Sequence, residues 1–206
     1  MKFKTQQENF WAGRFGDDYI ARNNGTNLLA SNVSFFSKAL NNTRDISSCI
    51  EFGANIGMNL EAIQLLFPNA EIHAVEINKN AARKLEKVVQ KRNITEGSII
   101  DFTSDRKWDL VLIKGVLIHI SPDYLPVVYD NLFGVTKRYI LLCEYYNPTP
   151  LKIDYRGHKD KLFKRDFAGE MLDRFEGLSL EEYGFLYHRD NNFPQDDLCW
   201  FLLKKD

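Results

Sequence analysis

The stretch CIEFGANIG, residues 49–57, decides the fold. A short apolar run ends at Gly53, which predicts a buried strand, and residues 55–67 then carry apolar side chains at helical spacing. A strand that turns into a helix through a glycine-containing loop is typical of the first unit of an open parallel sheet. Because a helix start exposes unpaired backbone amides, the same turn is a candidate ligand site.

The alternation of strands and helices continues along the chain. Further strands are predicted at 71–77, 97–102, 108–116 and 139–145, and further helices at 79–92 and 122–136. After a polar loop at 147–164, a helix is predicted at 165–175, followed by strands at 178–188 and 198–204 with turn residues between them. Two strands joined by so short a connection must be antiparallel. The sequence therefore predicts an α/β, Rossmann-like sheet with a parallel core and a C-terminal antiparallel hairpin.

The domain organisation follows from length and pattern. The chain has 206 residues, 44% of them apolar, which is a length typical of one domain with a full core. Residues 5–42 are predicted to be helical, so we expect one domain over 1–206, with an N-terminal helical cap (1–45) ahead of an α/β core (46–206).

Composition excludes several classes of protein. The formal net charge is −1, which argues against a partner bound through bulk positive charge, such as duplex nucleic acid. No apolar window of about 18 residues occurs, and the N-terminus lacks an apolar signal stretch, so we expect a cytoplasmic protein that does not bind membranes. The three cysteines form no C-x-x-C pair, and no cluster has metal-ligand spacing, so no metal is expected.

An acidic residue follows the glycine turn at the end of the second predicted strand. Glu76 lies 76 − 53 = 23 residues after Gly53, where a carboxylate can accept both ribose hydroxyls of an adenosine group. Nicotinamide dinucleotides and S-adenosylmethionine both have that group. Three features favour the second: the G-x-x-x-G spacing without a middle glycine, an acid at Glu51 before the turn, and the predicted terminal hairpin.

Residues 47–142 resemble the class I S-adenosylmethionine-dependent methyltransferases, with the EFGANIG turn as the most specific part. The family pattern is acidic-x-G-x-G-x-G, so Asn55 is a departure from it. A narrower resemblance, to pseudaminic-acid-biosynthesis-associated methylases, rests on strings spread over nearly the whole chain. They are ENFWAG (8–13), FGDDYIARN (15–23), KGVLIHISP (114–122), EYYNPTP (144–150), YRGH (155–158) and KRDFAGE (164–170).

The resemblance implies S-adenosylmethionine as cofactor, with S-adenosylhomocysteine as product, and it implies which residues hold it. Many relatives have Asp where Ser98 stands, so the adenine amino group is assigned to Ser98 or Asp101. The implied cofactor residues of the core are Glu51, Gly53, Ala54, Asn55, Gly57, Glu76, Ile77, Ser98, Ile99, Asp101, Lys114 and Gly115.

The N-terminal segment is a candidate cover for the cofactor. Trp11, Phe15 and Tyr19 recur every four residues, one face of a helix, and aromatic faces stabilise cations such as a sulfonium. Arg22 could pair with the cofactor carboxylate. Simple packing of Trp11 and Phe15 on the sheet is an equal alternative.

Two histidines are candidate general bases. His119 follows the fourth strand and His158 lies in the loop at 147–164; for each, a structural or solvated role is the alternative. Residues 152–166 hold six basic and three acidic residues, an excess of 6 − 3 = +3, which favours an anionic acceptor. The predicted substrate-binding residues are Tyr146, Asn147, Tyr155, Arg156 and Arg165.

The sequence thus predicts an S-adenosylmethionine-dependent methyltransferase for a small polar acceptor. The family resemblance implies a nonulosonic-acid (pseudaminic-acid-type) surface sugar or its nucleotide-activated precursor. A nicotinamide-dependent oxidoreductase and a non-catalytic S-adenosylmethionine-binding protein remain as alternatives, and the oligomeric state stays open.

Overall fold

Strands and helices alternate along the middle of the chain, as the apolar pattern predicts. The computed structural model describes residues 3–20 and 25–206, and its elements are named within that part of the chain. The strands are β1 (Ser48–Phe52), β2 (Glu71–Glu76), β3 (Ile94–Glu96), β4 (Trp108–Lys114), β5 (Thr136–Glu144), β6 (Leu151–Tyr155), β7 (His158–Lys164), β8 (Leu178–Phe185) and β9 (Cys199–Lys205). The helices are α1 (Gln6–Ala12), α2 (Arg14–Ile20), α3 (Thr26–Ala39), α4 (Met58–Leu66), α5 (Lys79–Leu85), α6 (Leu125–Val135) and α7 (Phe167–Arg174).

Seven of the strands form one sheet in the order β3-β2-β1-β4-β5-β9-β8. Strands β1 to β5 pair in parallel, whereas β9 is antiparallel to both of its neighbours, β5 and β8. This confirms the predicted α/β fold with a parallel core and a terminal antiparallel hairpin. In the register, Phe52 at the end of β1 lies opposite Val75 and Ile113, so β1, β2 and β4 end at one edge. The strand order reverses between β1 and β4, and open α/β sheets bind ligands at such a point.

Both faces of the parallel core are covered. Every residue of β1 is buried, with Phe52 in the apolar cluster on one face and Cys49 in the cluster on the other. In β4, Ile113 belongs to the same apolar cluster as Phe52, and Leu112 belongs to the same cluster as Cys49. Burial on both faces explains why these strands are continuous apolar runs rather than alternating ones.

Two predicted elements are wrong. The third strand forms at Ile94–Glu96 and not at 97–102, because Ile99 and Ile100 enter the core from a turn in which the Asp101 amide bonds the Ser98 carbonyl. The predicted loop at 147–164 is instead the antiparallel hairpin β6–β7, a separate two-stranded sheet. Arg156 and Gly157 both have positive φ, at 50° and 82°, and this conformation is typical of a tight hairpin turn.

Among residues 3–20 and 25–206, no helix is both long and apolar enough to cross a lipid bilayer. Helix α3 packs on the sheet through Phe35 and Phe36, and α1 and α2 lie toward the carboxyl edge of the parallel strands.

A buried carboxylate joins the amino ends of β1 and β4. Asp109 Oδ2 accepts hydrogen bonds from the Ser47 amide at 3.0 Å, the Ser47 hydroxyl at 2.6 Å and the Ser48 hydroxyl at 3.1 Å. Lys137 lies 3.1 Å from the other oxygen. Burial raises the pKa of Asp109, but these donors outweigh burial and hold the pKa at about 2. The ionised carboxylate therefore stabilises the contact between the two central strands.

We expect Asp109→Asn to lower the free energy of unfolding at pH 7 by about 2 kcal/mol, the value of such a pKa shift. Because the folded-state pKa is lowered, this stability is present above about pH 4 and is lost as the pH falls toward 2. Urea unfolding at pH 7 and pH 3 measures both effects. Lys137→Ala, which removes only an exposed ion-pair partner, should cost less than about 1 kcal/mol. An Asp109→Asn protein as stable as wild type at pH 7 would contradict the assignment.

Candidate functional site

A cavity of about 530 Å³ opens at the carboxyl edge of the parallel strands. Its volume is typical of a small-molecule site. The loops after β1 to β4, helices α1 to α3 and the connection between β8 and β9 contribute to its wall. The predicted residues in this wall are Trp11, Tyr19, Gly53, Ala54, Asn55, Glu76, Ile77, Ser98, Ile99, Lys114, Gly115 and His119.

The turn after β1 is shaped by backbone conformations that side chains disfavour. Gly53, Asn55 and Gly57 have φ of 77°, 50° and 90°. A Cβ on Gly53 would lie 2.5 Å from Cγ2 of Val116, and one on Gly57 would lie 2.7 Å from Cδ1 of Leu85. Apolar side chains of the protein therefore fill the space beside both glycines, and the predicted contact of their backbone with a cofactor stays a prediction. Gly57 also lies outside the cavity wall.

Among the glycines of the cavity wall, Gly115 at the end of β4 faces open space. It has a φ of 67°, it lines the cavity, and no heavy atom lies within 4 Å of the position that a Cβ would take. Its amide donates to the Cys143 carbonyl at 2.9 Å, which fixes the strand end. The backbone here is thus open to a ligand.

Glu76 ties the turns after β1 and β2 together. Its Oε2 accepts from the Asn55 amide and its Oε1 from the Asn78 amide, both at 2.7 Å. Burial raises the pKa of this carboxyl, and the backbone donors oppose that shift. A carboxylate can accept about four hydrogen bonds in all, so Glu76 keeps acceptor capacity at the cavity wall.

Glu51 lies behind the cavity wall rather than in it. The side chain is fully buried, and Oε1 accepts from Nδ2 of Asn59 at 2.6 Å, whereas Oε2 has no hydrogen-bond partner in the described chain. Burial raises the pKa of Glu51 to about 8, against the lowering effects of Asn59 and the Lys114 charge. Asn59, which lines the cavity, is hydrogen-bonded to Glu51, so the predicted role of Glu51 toward a cofactor stays a prediction and would act through Asn59.

The loop after β3 presents Ser98 and Ile99 to the cavity. The Ser98 hydroxyl accepts from the Ile100 amide at 3.1 Å. Asp101 is outside the wall and is ion-paired with Lys4. Of the two residues predicted for the adenine amino group, only Ser98 therefore lines the cavity.

Helix α1 crosses the cavity and brings Trp11 into its wall. The Trp11 ring lies 5.2 Å from the Tyr19 ring and 4.6 Å from the His119 ring, centroid to centroid. Phe15 packs at 5.4 Å behind Trp11, outside the wall. Arg22, predicted to bind the cofactor carboxylate, lies outside the described residues. Two of the three predicted aromatic residues thus face the cavity.

His119 is buried and lines the cavity. Its Nδ1 lies 2.5 Å from the Lys161 carbonyl. Since a carbonyl only accepts, Nδ1 carries the proton and Nε2 is the free acceptor of the ring. Burial lowers the pKa of His119 to about 4, so the imidazole is neutral at physiological pH.

The hairpin β6–β7 contributes no residue to the cavity wall. His158 is exposed, packs its ring 4.9 Å from Phe10 and lies outside the wall, so its catalytic role stays a prediction without support from the cavity. Arg156 is exposed at the hairpin turn. Tyr155 contacts the rings of His119 and Trp11 and supports the wall from behind.

Three further predicted substrate residues are also outside the wall. Tyr146 is exposed beside Phe201, the Asn147 side chain bonds the Thr149 carbonyl, and Arg165 is ion-paired with Glu170. Local partners therefore hold the side chains of Asn147 and Arg165 away from the cavity.

Sequence reasoning missed several residues of the site. Asn78 caps α5 and Glu8 closes a capping box with Thr5, and both positions carry recognisable cap signals in the sequence. Glu144 accepts from the Val116 and Leu117 amides at 3.0 Å and so shapes the loop that carries His119; no local pattern marks it. In residues 3–20 and 25–206, no group of His, Cys, Asp and Glu side chains is arranged to hold a metal ion.

Comparison with solved structures identifies the fold. No protein-family model and no curated protein matches the sequence. DesVI of Streptomyces venezuelae superposes with a TM-score of 0.65 at 12% identity, over 94% of this chain and 99% of that one. The 1,6-didemethyltoxoflavin-N1-methyltransferase of Burkholderia thailandensis, solved with S-adenosylhomocysteine, gives 0.70 at 10% identity over 97% and 86%.

A third structure agrees with these two. The magnesium protoporphyrin IX methyltransferase of Synechocystis, solved with S-adenosylhomocysteine, gives a TM-score of 0.67 at 15% identity, over 99% of this chain and all of that one. The chain therefore has the Rossmann-like fold of class I methyltransferases.

We expect Glu51→Gln to flatten the dependence of stability on pH. A raised folded-state pKa means that the stability contributed by Glu51 is present below about pH 4.5 and is lost as the pH rises toward 8. Glutamine cannot ionise and keeps an acceptor for Asn59. The melting temperature of wild type should fall more between pH 6 and pH 9 than that of Glu51→Gln. Glu61→Gln, on the same helix as Asn59, is the control, and equal slopes for wild type and Glu51→Gln would refute the assignment.

Proposed function

We propose that the protein is an S-adenosylmethionine-dependent methyltransferase that acts on a small polar acceptor. The observation that carries the proposal is the cavity at the ends of β1, β2 and β4, with Glu76 in its wall and the open backbone of Gly115 opposite. In this fold that edge of the sheet is the ligand-binding edge.

The wall residues fit the parts of this cofactor. Glu76 retains acceptor capacity for the ribose hydroxyls, and Ile77 supplies an apolar surface for adenine. Trp11 and Tyr19 offer aromatic faces to a sulfonium. Lys114 brings positive charge to the end of β4, where its ammonium lies 3.4 Å from Oδ1 of Asn32 and would pair with the cofactor carboxylate.

The alternative function, a nicotinamide-dependent oxidoreductase, has less support from the structure. Dinucleotide-binding sheets of the Rossmann type are parallel, whereas here β9 is antiparallel to its two neighbours. The turn after β1 also lacks the middle glycine, and the Val116 side chain stands in front of Gly53. A binding protein without catalysis would have the same cavity, and the activity assay below distinguishes it.

The chain's own contribution to methyl transfer is orientation and desolvation. The cofactor supplies an activated methyl group on a sulfonium for in-line displacement. Holding two reactants in line contributes roughly 7–11 kcal/mol to such a reaction. His119 presents Nε2 as a neutral acceptor and would take the proton of an acceptor hydroxyl or amine. The rings of Trp11 and Tyr155 both pack against the imidazole.

The acceptor is proposed to be an anionic sugar of the nonulosonic type or its nucleotide-activated precursor. The resemblance of six strings of the sequence to pseudaminic-acid-biosynthesis-associated methylases, described above, is the reason for this proposal. The hairpin β6–β7 adds exposed positive charge at Arg156 and Lys159, although Lys152 is paired with Asp160. Long-range attraction of an anionic substrate to the cavity mouth is the expected effect of this charge.

We expect Glu76→Gln to erase recognition of the ribose hydroxyls. Wild type should bind S-adenosylhomocysteine roughly tenfold or more tightly than its 2′,3′-dideoxy analogue, because the analogue lacks both donors. Glu76→Gln should lose most of that difference in calorimetry. Glu96→Gln, opposite Glu76 in the β2–β3 register, is the matched control. Wild type that does not bind S-adenosylhomocysteine would reject the proposed function, and an unchanged ratio in Glu76→Gln would reject the ribose assignment alone.

We expect substitutions of the two candidate histidines to have different effects on the rate of methyl transfer. In a radiolabelled methyl-transfer assay on sugar-nucleotide fractions, His119→Asn should lower the rate by about 100-fold or more, as for loss of a general base. His158→Asn should leave the rate near wild type, since His158 lies outside the wall. Both variants should still bind S-adenosylhomocysteine. Equal rates for His119→Asn and wild type would exclude His119 as the base.

A further inference from the structure

Helix α1 is tied at both ends to the loops that would hold the nucleoside. At its start, Lys4 is ion-paired with Asp101 in the loop after β3. At its end, the Trp11 carbonyl accepts from Nδ2 of Asn78, in the loop after β2, at 3.2 Å. The middle of α1 therefore lies across the part of the cavity between Ile77 and Ser98.

Glu8, in the middle of α1, has one carboxylate oxygen that is held and one that is not. Oε2 accepts from the Lys4 amide at 2.8 Å, the Thr5 amide at 2.7 Å and the Thr5 hydroxyl at 3.1 Å. Oε1 has no hydrogen-bond partner in the described chain, although Glu8 is only 5% exposed and lines the cavity. A buried carboxylate oxygen without a donor is costly, so this geometry calls for a donor from a ligand.

The loop after β3 offers no competing carboxylate. Asp101 lies outside the wall with Lys4, and the Ser98 hydroxyl already accepts from the Ile100 amide. Glu76, whose carbonyl accepts from the Gly97 amide at the start of this loop, is the acceptor for the ribose in the proposed function. The adenine amino group is the remaining donor of the nucleoside.

We propose that Glu8, supplied by the N-terminal helix, binds the exocyclic amino group of the cofactor's adenine and so selects adenine over hypoxanthine. This inference rests on the proposed function, because it assumes S-adenosylmethionine in the cavity. The amino group donates to Oε1 in a charge-assisted hydrogen bond. A base with a carbonyl at that position would place two hydrogen-bond acceptors against each other. Trp11 Nε1, one turn further along α1, also has no partner in the described chain.

The test compares S-adenosylhomocysteine with S-inosylhomocysteine, which has a carbonyl in place of the amino group. In calorimetry, wild type should bind the adenine ligand about 10- to 100-fold more tightly, the range for a hydrogen bond to a charged group. Glu8→Gln should lose most of that preference, because an amide can turn its NH₂ toward the carbonyl. Glutamine also serves in a capping box, so α1 should keep its start.

Thr5→Ala is the matched control. It removes the hydroxyl that bonds Oε2 and weakens the cap, but it leaves Oε1 unchanged. Thr5→Ala should therefore keep the wild-type preference even where both affinities fall. A wild-type preference retained in Glu8→Gln, or an equal loss of both affinities, would overturn the inference and leave the proposed function standing. Wild type that binds neither ligand would overturn both.

Discussion

The arrangement of the site depends on one buried carboxylate. Glu76 bonds the Asn55 and Asn78 amides, so a single side chain fixes the turns that follow β1 and β2. The left-handed conformation of Asn55 is compatible with this bond, and the flanking glycines allow Val116 and Leu85 to pack against the turn. The floor of the cavity is therefore held by the protein's own contacts, and the opening for a ligand lies instead at Gly115. Preorganisation of this kind reduces the entropy that binding must overcome.

Much of the fold could be predicted because buried positions are apolar, and the pattern of apolar residues differs between helices and buried strands. Strands β1 and β4 are covered on both faces, and their continuous apolar runs predict them with nearly correct bounds. The same reasoning placed the third strand at 97–102, because Ile99 and Ile100 are as apolar as strand residues although they enter the core from a turn. It missed the hairpin β6–β7, whose short strands alternate weakly and whose turn depends on Arg156, a residue type with no preference for positive φ.

The site was predictable where a residue directly ends a strand of the parallel core. Glu76 and Lys114 end such strands and lie in the cavity wall, because parallel strands deliver their ends to one edge. Position after a strand was not sufficient by itself. Tyr146 and Arg165 also come shortly after strands, but local contacts decide the direction of their side chains. Glu8 and Asn59 reach the cavity from helices, and their presence in the wall depends on tertiary docking that helix periodicity does not encode.

Helix α1 and the hairpin β6–β7 are joined to each other as well as to the sheet. Gln7 donates to the Asp160 carbonyl at 2.9 Å, and the Lys161 ammonium donates to the side-chain oxygen of Gln6 at 2.8 Å. The backbone carbonyl of the same Lys161 accepts from Nδ1 of His119. Displacing α1 would therefore strain the contacts of Lys161, whose carbonyl sets the tautomer of His119. Helix α1, the hairpin and the imidazole of His119 thus belong to one connected set of hydrogen bonds, so a substitution in either element is expected to shift the position of the other.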